Sequence, residues 1–191
     1  ERFQSQWNVM LKNTDTSLQG ASDIEKFFNS FPVKQLAYDL FIIFEHGRLR
    51  VLMSEKYPGM IKKATPYLIC ELERITGETC TDNPLILLTA LYAEIGAGVF
   101  TARFQKKSTF QEQHIITGLA EKFDIEISKA PVVETSAGLV FSAYPVLAEF
   151  LEKQCRLKGS GLNTCYRPLK IPFNRLIRPD LYGKTFQYFD I

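Results

Sequence analysis

An almost uninterrupted apolar stretch at residues 85–95 constrains the fold of this chain more than any other feature. The polar groups within it belong to three residues only, Thr89, Tyr92 and Glu94. Because a helix that is apolar all round needs apolar neighbours on every side, the stretch predicts a buried central helix. Pro84 suits a first helical position, where its missing N–H would be unpaired in any case. We place this helix at about residues 84–104.

Helical patterns on both sides of this stretch predict that the chain is mainly α. With 46% hydrophobic residues, the 191-residue chain can bury a sizeable core. We therefore predict a compact multi-helix bundle around the central helix, with an extended C-terminal arm interrupted by prolines and at most minor β structure. Three regions are expected: an N-terminal arm or short helix at 1–21, a helical core domain at 22–158, and a basic extended arm at 159–191. The arm is expected to pack on its own or a neighbouring subunit.

Glycine and proline signals predict helix boundaries before the apolar stretch. Pro32 can begin a helix, and Gly47 is a natural residue to end it, because glycine adopts the left-handed conformation common after a last helical turn. Thr65 and Pro66 together predict the start of the next helix. These signals divide the first half of the chain into several helices of ordinary length.

Boundaries after the apolar stretch are predicted in the same way. Ser108 and Gln111 match a capping box, which begins a further helix. Residues 124–135 alternate in polarity and contain a proline, so a loop or a short strand is expected there. The following helical pattern is expected to be divided or kinked at Pro145, because proline removes a backbone hydrogen bond in a helix interior.

Basic residues are concentrated towards the C-terminus. Residues 153–184 contain eight Lys/Arg and one acid, Asp180, which gives a net charge of +7. The rest of the chain has 15 Lys/Arg and 20 Asp/Glu, or −5, and the two parts give the overall +2. In the basic segment the cations alternate with aromatic and apolar side chains. Single-stranded nucleic acid is bound by this combination, because cations contact phosphates and aromatic faces stack on bases.

We therefore predict a non-enzymatic structural or assembly protein, nucleoprotein-like or coat-like, whose basic C-terminal segment binds single-stranded nucleic acid such as RNA. The predicted nucleic-acid-binding residues are Arg103, Lys106, Lys107, Arg156, Lys158, Tyr166, Arg167, Lys170, Phe173, Arg175, Arg178 and Lys184. Four more cations are candidates to extend this surface: Arg48, Arg50, Lys62 and Lys63. The predicted contacts to a neighbouring copy or a protein partner are Leu181, Tyr182, Phe186, Tyr188 and Phe189.

Two other functions fit the sequence. A protein-interaction or scaffold domain of a larger protein would use the arm to dock on an acidic partner or a neighbouring copy. An enzyme or small-ligand protein would need a pocket beside Glu94, although a salt bridge or an exposed edge is the simpler explanation for this acid, since buried charges are usually paired. Nucleotide, kinase and zinc signatures do not occur, and neither His46 nor His114 has a ligand at metal-binding spacing. No catalytic residue, metal or cofactor is predicted.

The four cysteines and the lack of glycosylation signals favour an intracellular protein, cytoplasmic or nuclear. Nine residues separate Cys70 from Cys80, and nine separate Cys155 from Cys165, which is too wide for a zinc knuckle and leaves two local disulfides open. No Asn-x-Ser/Thr site occurs, which favours reduced thiols. The apolar stretch is shorter than the roughly 20 residues that a bilayer span needs, so no membrane role is predicted.

Overall fold

The helix Lys34–Lys56 is the element against which most of the other described helices pack. A computed structural model describes residues 23–79, 83–99, 108–157 and 159–169, and these residues form helices with no strand among them. The helices are α1 Asp23–Asn29, α2 Lys34–Lys56, α3 Pro58–Thr79, α4 Asn83–Leu91, a π-helical turn Tyr92–Gly96, α5 Phe110–Lys129, α6 Val133–Leu157 and α7 Leu162–Cys165. The prediction of a mainly α chain is thus confirmed.

Helix α2 is buried on nearly all sides along its first half. Leu36, Leu40 and Ile43 are fully buried, and α2 packs against α1, α3, α6 and the π turn. Next to it, α1 places Phe27 and Phe28 in a cluster of aromatic rings, with centroids 5.1 Å apart in an edge-on arrangement. Such edge-to-face contacts add to the stabilisation from apolar burial.

Helix α4 is buried as predicted, but it is not a long, continuous helix. Leu87, Leu88 and Leu91 are fully buried. The α-helix ends at Leu91, the π turn follows, and Gly98 takes a positive φ of 64°. The prediction of one helix over about residues 84–104 is therefore wrong in its extent, and residues 100–107 lie outside the described part of the chain.

Gly47 does not end α2, which continues to Lys56. A Cβ atom at position 47 would lie 2.6 Å from Cζ of Phe123 and 2.8 Å from the carbonyl oxygen of Ile95. The glycine is therefore needed where α2 crosses the π turn and α5, because any side chain would collide there. The sequence predicts Gly47 as a helix boundary, but the structure shows that the glycine is required by close packing.

Helix α3 also begins earlier than predicted. It starts at Pro58, where a proline costs no hydrogen bond, and it includes Pro66 in its interior rather than beginning at Thr65. In the same way, α6 runs through Pro145 without division. Neither Pro66 nor Pro145 ends a helix, so a proline inside a helical pattern does not mark a boundary at these two positions.

The region expected to be a loop or short strand at residues 124–135 is mostly helical. Helix α5 continues to Lys129 because Ile116, Phe123 and Ile127 lie on one buried face. Its capping box is formed by Thr109 and Glu112, one residue later than predicted. The Thr109 amide donates to Glu112 Oε2 over 2.6 Å, and the Glu112 amide donates to Thr109 Oγ1 over 3.3 Å.

Candidate nucleic-acid interface

Most of the predicted nucleic-acid-binding residues lie outside the described residues. These are Arg103, Lys106, Lys107, Lys158, Lys170, Phe173, Arg175, Arg178 and Lys184. The predicted partner contacts Leu181, Tyr182, Phe186, Tyr188 and Phe189 lie outside them as well. Arg156, Tyr166 and Arg167 are described.

These three residues do not form a common surface. Arg156, near the end of α6, donates from Nε to Glu152 Oε1 over 3.1 Å, so its charge is partly balanced. Arg167 is exposed. Tyr166 is 6% exposed and packs in the core, so in this conformation its ring offers no face to a base.

Tyr166 instead belongs to an anchor that holds the C-terminal segment on α2. The Tyr166 hydroxyl donates to Asp39 Oδ2 over 2.6 Å, and the amide of Leu169 donates to the same oxygen over 2.8 Å. Gln35 Nε2 donates to Asp39 Oδ1 over 3.0 Å. Desolvation by burial raises the pKa of Asp39 to about 6, against the lowering effect of these hydrogen bonds. The sequence contains no local signal for this anchor, because Tyr166 and Leu169 are more than 120 residues from Asp39 along the chain.

The region around Glu94 is packed rather than open. A Cβ at Gly96 would lie 2.4 Å from the Tyr92 ring, and a Cβ at Gly98 would lie 2.7 Å from the Arg50 guanidinium. Glu94 is half-buried, and burial raises its pKa, as does the nearby Asp124, while Arg50 lowers it. The side chains of Tyr92 and Arg50 thus pack closely against the two glycines that follow Glu94.

Two candidate cations from α2 are used inside the molecule. Arg48 forms a buried ion pair with Glu45 and donates from Nη1 to the carbonyl oxygen of Pro131 over 3.2 Å. Arg50 donates from Nη2 to the carbonyl oxygen of Ile95 over 3.3 Å. Both guanidinium groups therefore join α2 to neighbouring segments.

His46 and Tyr92 form a second polar contact at the π turn. His46 Nδ1 lies 3.0 Å from the Tyr92 hydroxyl. Burial lowers the pKa of His46 to about 4 and raises the pKa of Tyr92. The imidazole is therefore neutral at physiological pH, and the pair links α2 to the π turn.

Exposed aromatic side chains beside cations, which the sequence predicts in the C-terminal segment, occur where α2 ends and in the first half of α3. Here Tyr57, Met60 and Tyr67 are 54%, 59% and 76% exposed. Three exposed lysines accompany them, and no acid occurs between residues 56 and 70. We call this surface the α3 face; its members are Lys56, Tyr57, Met60, Lys62, Lys63 and Tyr67.

The tyrosines of the α3 face differ from the other tyrosines in the described residues. Tyr92, Tyr144 and Tyr166 are buried, and each hydroxyl has a hydrogen-bond partner inside the protein. Tyr38 is half-buried with its ring against Phe28. Tyr57 and Tyr67 thus stand apart as rings that the fold leaves available.

The lysines of the α3 face also differ from most other exposed cations. Ion pairs within one helical turn neutralise Lys26, Arg74, Lys129, Lys153 and Arg156. Within the described residues, Lys56, Lys62 and Lys63 have no such ion pair. Their charge therefore remains available to an anionic ligand.

Other kinds of site do not stand out in the described part of the chain. No group of three or more His, Cys, Asp or Glu side chains there could hold a metal ion. Cys155 and Cys165 are not joined by a disulfide, which answers one of the pairings left open by the sequence. Among the described helices, none is long and apolar enough to cross a bilayer.

Comparison with protein-family models, with curated proteins and with solved structures gives no match for this chain. Its function is therefore argued from its own residues.

Proposed function

We propose that this chain is a non-enzymatic nucleic-acid-binding protein that takes single-stranded RNA or DNA on the α3 face. The observation that carries the proposal is the coincidence of two exposed tyrosines with three lysines that no described acid neutralises. Stacking on an aromatic ring and contact with phosphates are the two interactions that hold a single strand without sequence preference.

The geometry of α3 brings the two kinds of side chain together. Met60, Lys63 and Tyr67 follow one another at spacings of three and four residues, which places them on one side of a helix. The buried Leu72 defines the opposite, core-facing side. A strand lying along α3 would therefore meet the ring of Tyr67 and the ammonium group of Lys63 on the same face.

The basic C-terminal residues remain a second predicted part of this interface. Arg175, Arg178 and Lys184 would add phosphate contacts beyond those of α3. The described residues carry 13 Lys/Arg and 16 Asp/Glu, a net charge of −3 (13 − 16), so they repel a polyanion outside the α3 face. Cations from both regions are therefore expected to contribute to affinity.

The test is fluorescence anisotropy of a labelled single-stranded oligonucleotide with the full-length chain at increasing salt. Tyr67→Ala should weaken binding by about 1–3 kcal/mol, because one stacked base is lost. Tyr67→Phe keeps the ring and should bind like the unchanged protein. Replacing Lys63 by Ala should lower the slope of log K against log salt by about 0.7, which is roughly the contribution of one phosphate contact on a single strand.

Lys122→Ala is the matched control, because Lys122 is an exposed lysine of α5, a helix that packs against α4, α6 and the π turn. It should leave both affinity and salt slope unchanged. Absence of binding at low salt, or equal affinity of Tyr67→Ala and the unchanged protein, would contradict the proposal.

A protein-interaction function is the second candidate, because Met60 and Tyr67 expose large apolar surface that often marks contact sites. Light scattering distinguishes the two candidates. A dimer that Tyr67→Ala dissociates, together with no nucleic-acid binding, would favour the protein-interaction function.

A further inference from the structure

Tyr57 and Tyr67 lie at the two ends of the α3 face. Tyr57 directly precedes the first residue of α3, and Tyr67 lies ten residues further along the chain. At the rise of an α-helix this spacing corresponds to about 15 Å along the helix axis. The length of strand that spans both rings therefore follows from the fold.

The two tyrosines belong to one row of exposed side chains. Tyr57, Met60, Ala64 and Tyr67 follow one another at spacings of three, four and three residues, which places them on one side of α3. All four are exposed. Between the rings the row contains only Met60 and the small Ala64, so a strand can follow it from one ring to the other.

The backbone of Tyr57 is held by both helices that meet there. Its amide donates to the carbonyl oxygen of Met53 over 2.7 Å, which closes α2. Its carbonyl oxygen accepts from the amides of Met60 over 3.0 Å and Ile61 over 3.3 Å, which opens α3. Because the backbone is fixed, only the torsions of the side chain are ordered when a base stacks on the ring, and tyrosine has few of them.

Cations accompany the row along its length. Lys56 precedes Tyr57, and Lys62 and Lys63 lie between the two tyrosines in the sequence. Lys63 is three residues from Met60 and four from Tyr67, so it lies beside the row. A strand whose bases stack on both rings has its intervening phosphates near the middle of α3, where these lysines are.

The separation of the rings sets the length of the strand. About 15 Å corresponds to four or five steps at the roughly 3.4 Å per nucleotide of one strand in a duplex, and to fewer steps in an extended strand. A segment of about three to six nucleotides therefore reaches from one ring to the other, and a dinucleotide reaches one ring only. In a duplex the bases are paired and stacked on each other, so neither ring can take one without unstacking it.

We propose that one single strand stacks a base on Tyr57 and another base on Tyr67 at the same time. The α3 face is then a two-ring site for unpaired strands of about six nucleotides or more. Tyr57 contributes as much as Tyr67, and the second base binds without a second association step. This inference rests on the proposed function, to which it adds the length and the form of the strand.

Competition binding with the full-length chain tests the inference. Unlabelled oligothymidylates of increasing length displace a labelled oligothymidylate of twelve nucleotides, and fluorescence anisotropy reports the displacement. Affinity should rise steeply up to about six nucleotides and only weakly beyond. With eight nucleotides, Tyr57→Ala should lower the affinity about 5- to 150-fold, which is the contribution of one stacked base. With two nucleotides, the same change should lower it at most about twofold, because Tyr67 still takes the strand.

Matched variants separate stacking from other effects of the substitution. Tyr57→Phe keeps the ring and should bind like the unchanged protein, whereas Tyr57→Leu keeps the apolar bulk and should lose as much affinity as Tyr57→Ala. Ile125→Ala removes a side chain of α5 that is 53% exposed, against 54% for Tyr57, and should leave the affinity unchanged. The affinity for a fully paired duplex should be the same in Tyr57→Ala and the unchanged protein.

The outcomes distinguish this inference from the proposed function. If Tyr67→Ala weakens binding of the twelve-nucleotide strand and Tyr57→Ala does not, the two-ring site is overturned and the proposed function stands. Equal losses in Tyr57→Ala for two and for eight nucleotides overturn the two-ring site as well. If the unchanged protein binds no strand at low salt, the proposed function is overturned, and the two-ring site with it.

Discussion

At the scale of single residues, the position that most sharply limits this fold is Gly47. A Cβ there would meet the carbonyl oxygen of Ile95 at 2.8 Å, and a backbone atom held in the π turn cannot move aside cheaply. By contrast, a Cβ at Gly118 of α5 would meet nothing within 4 Å. The two glycines therefore have opposite physical roles, although both lie inside helices.

Alanine substitutions should separate these roles. Gly47→Ala should lower the free energy of unfolding by about 1–3 kcal/mol through overpacking, while Gly118→Ala should raise it by up to about 1 kcal/mol through helix propensity. Urea denaturation followed by circular dichroism measures both. If the two variants change stability in the same direction, the close crossing at Gly47 is not as described.

At the scale of elements, the sequence was informative about helix type and less so about helix ends. The apolar stretch correctly predicts that α4 is buried, and the capping-box pattern predicts the start of α5 to within one residue. Gly47 and Pro66 are wrongly predicted as helix boundaries. A local signal of this kind has more than one physical cause. A glycine can end a helix or allow two elements to cross closely, and only the tertiary contacts show which of the two applies.

The candidate site is only partly predictable, because the sequence does not show which side chains face the solvent. Lys62 and Lys63 are among the cations that the sequence predicts to extend the surface, but nothing in the sequence indicates that Tyr67 is exposed. Tyr166 was expected to stack on bases, yet it is buried against Asp39. An aromatic residue beside a cation looks the same in sequence whether it faces the core or the solvent.

The N-terminus of α5 depends on the side chain of its N-cap residue, Thr109. Thr109 and Glu112 exchange two hydrogen bonds there, and Glu112 is 2% exposed. Thr109→Ala should cost about 1 kcal/mol of stability, because the Glu112 amide loses the Thr109 hydroxyl as its acceptor. The amide of residue 109 can still donate to the Glu112 carboxylate. Thr117→Ala, at an exposed position within the same helix, should change thermal stability far less. Equal losses in the two variants would show that the cap does not stabilise α5.

At the scale of the whole molecule, one buried carboxylate joins the two ends of the described chain. Asp39 of α2 is 1% exposed, and it accepts hydrogen bonds from Tyr166 and from Leu169, the last described residue. Because the anchor bridges such distant parts of the sequence, its loss should release residues 166–169 from α2. The protonation state of Asp39 is therefore a property of the whole fold.

The pH dependence of stability should report this anchor. Burial raises the pKa of Asp39 from 3.8 to about 6, so the folded protein binds its proton more tightly than the unfolded chain. The resulting stability is fully present below pH 3.8 and is lost as the pH rises through about 6. Asp39→Asn keeps an oxygen that can accept from Tyr166 and Leu169 but does not titrate. Between these pH values, the unchanged protein should lose on the order of 1–3 kcal/mol relative to Asp39→Asn. Urea denaturation at a series of pH values measures the difference, and a constant difference across the window would show that Asp39 does not titrate with a raised pKa in the folded protein.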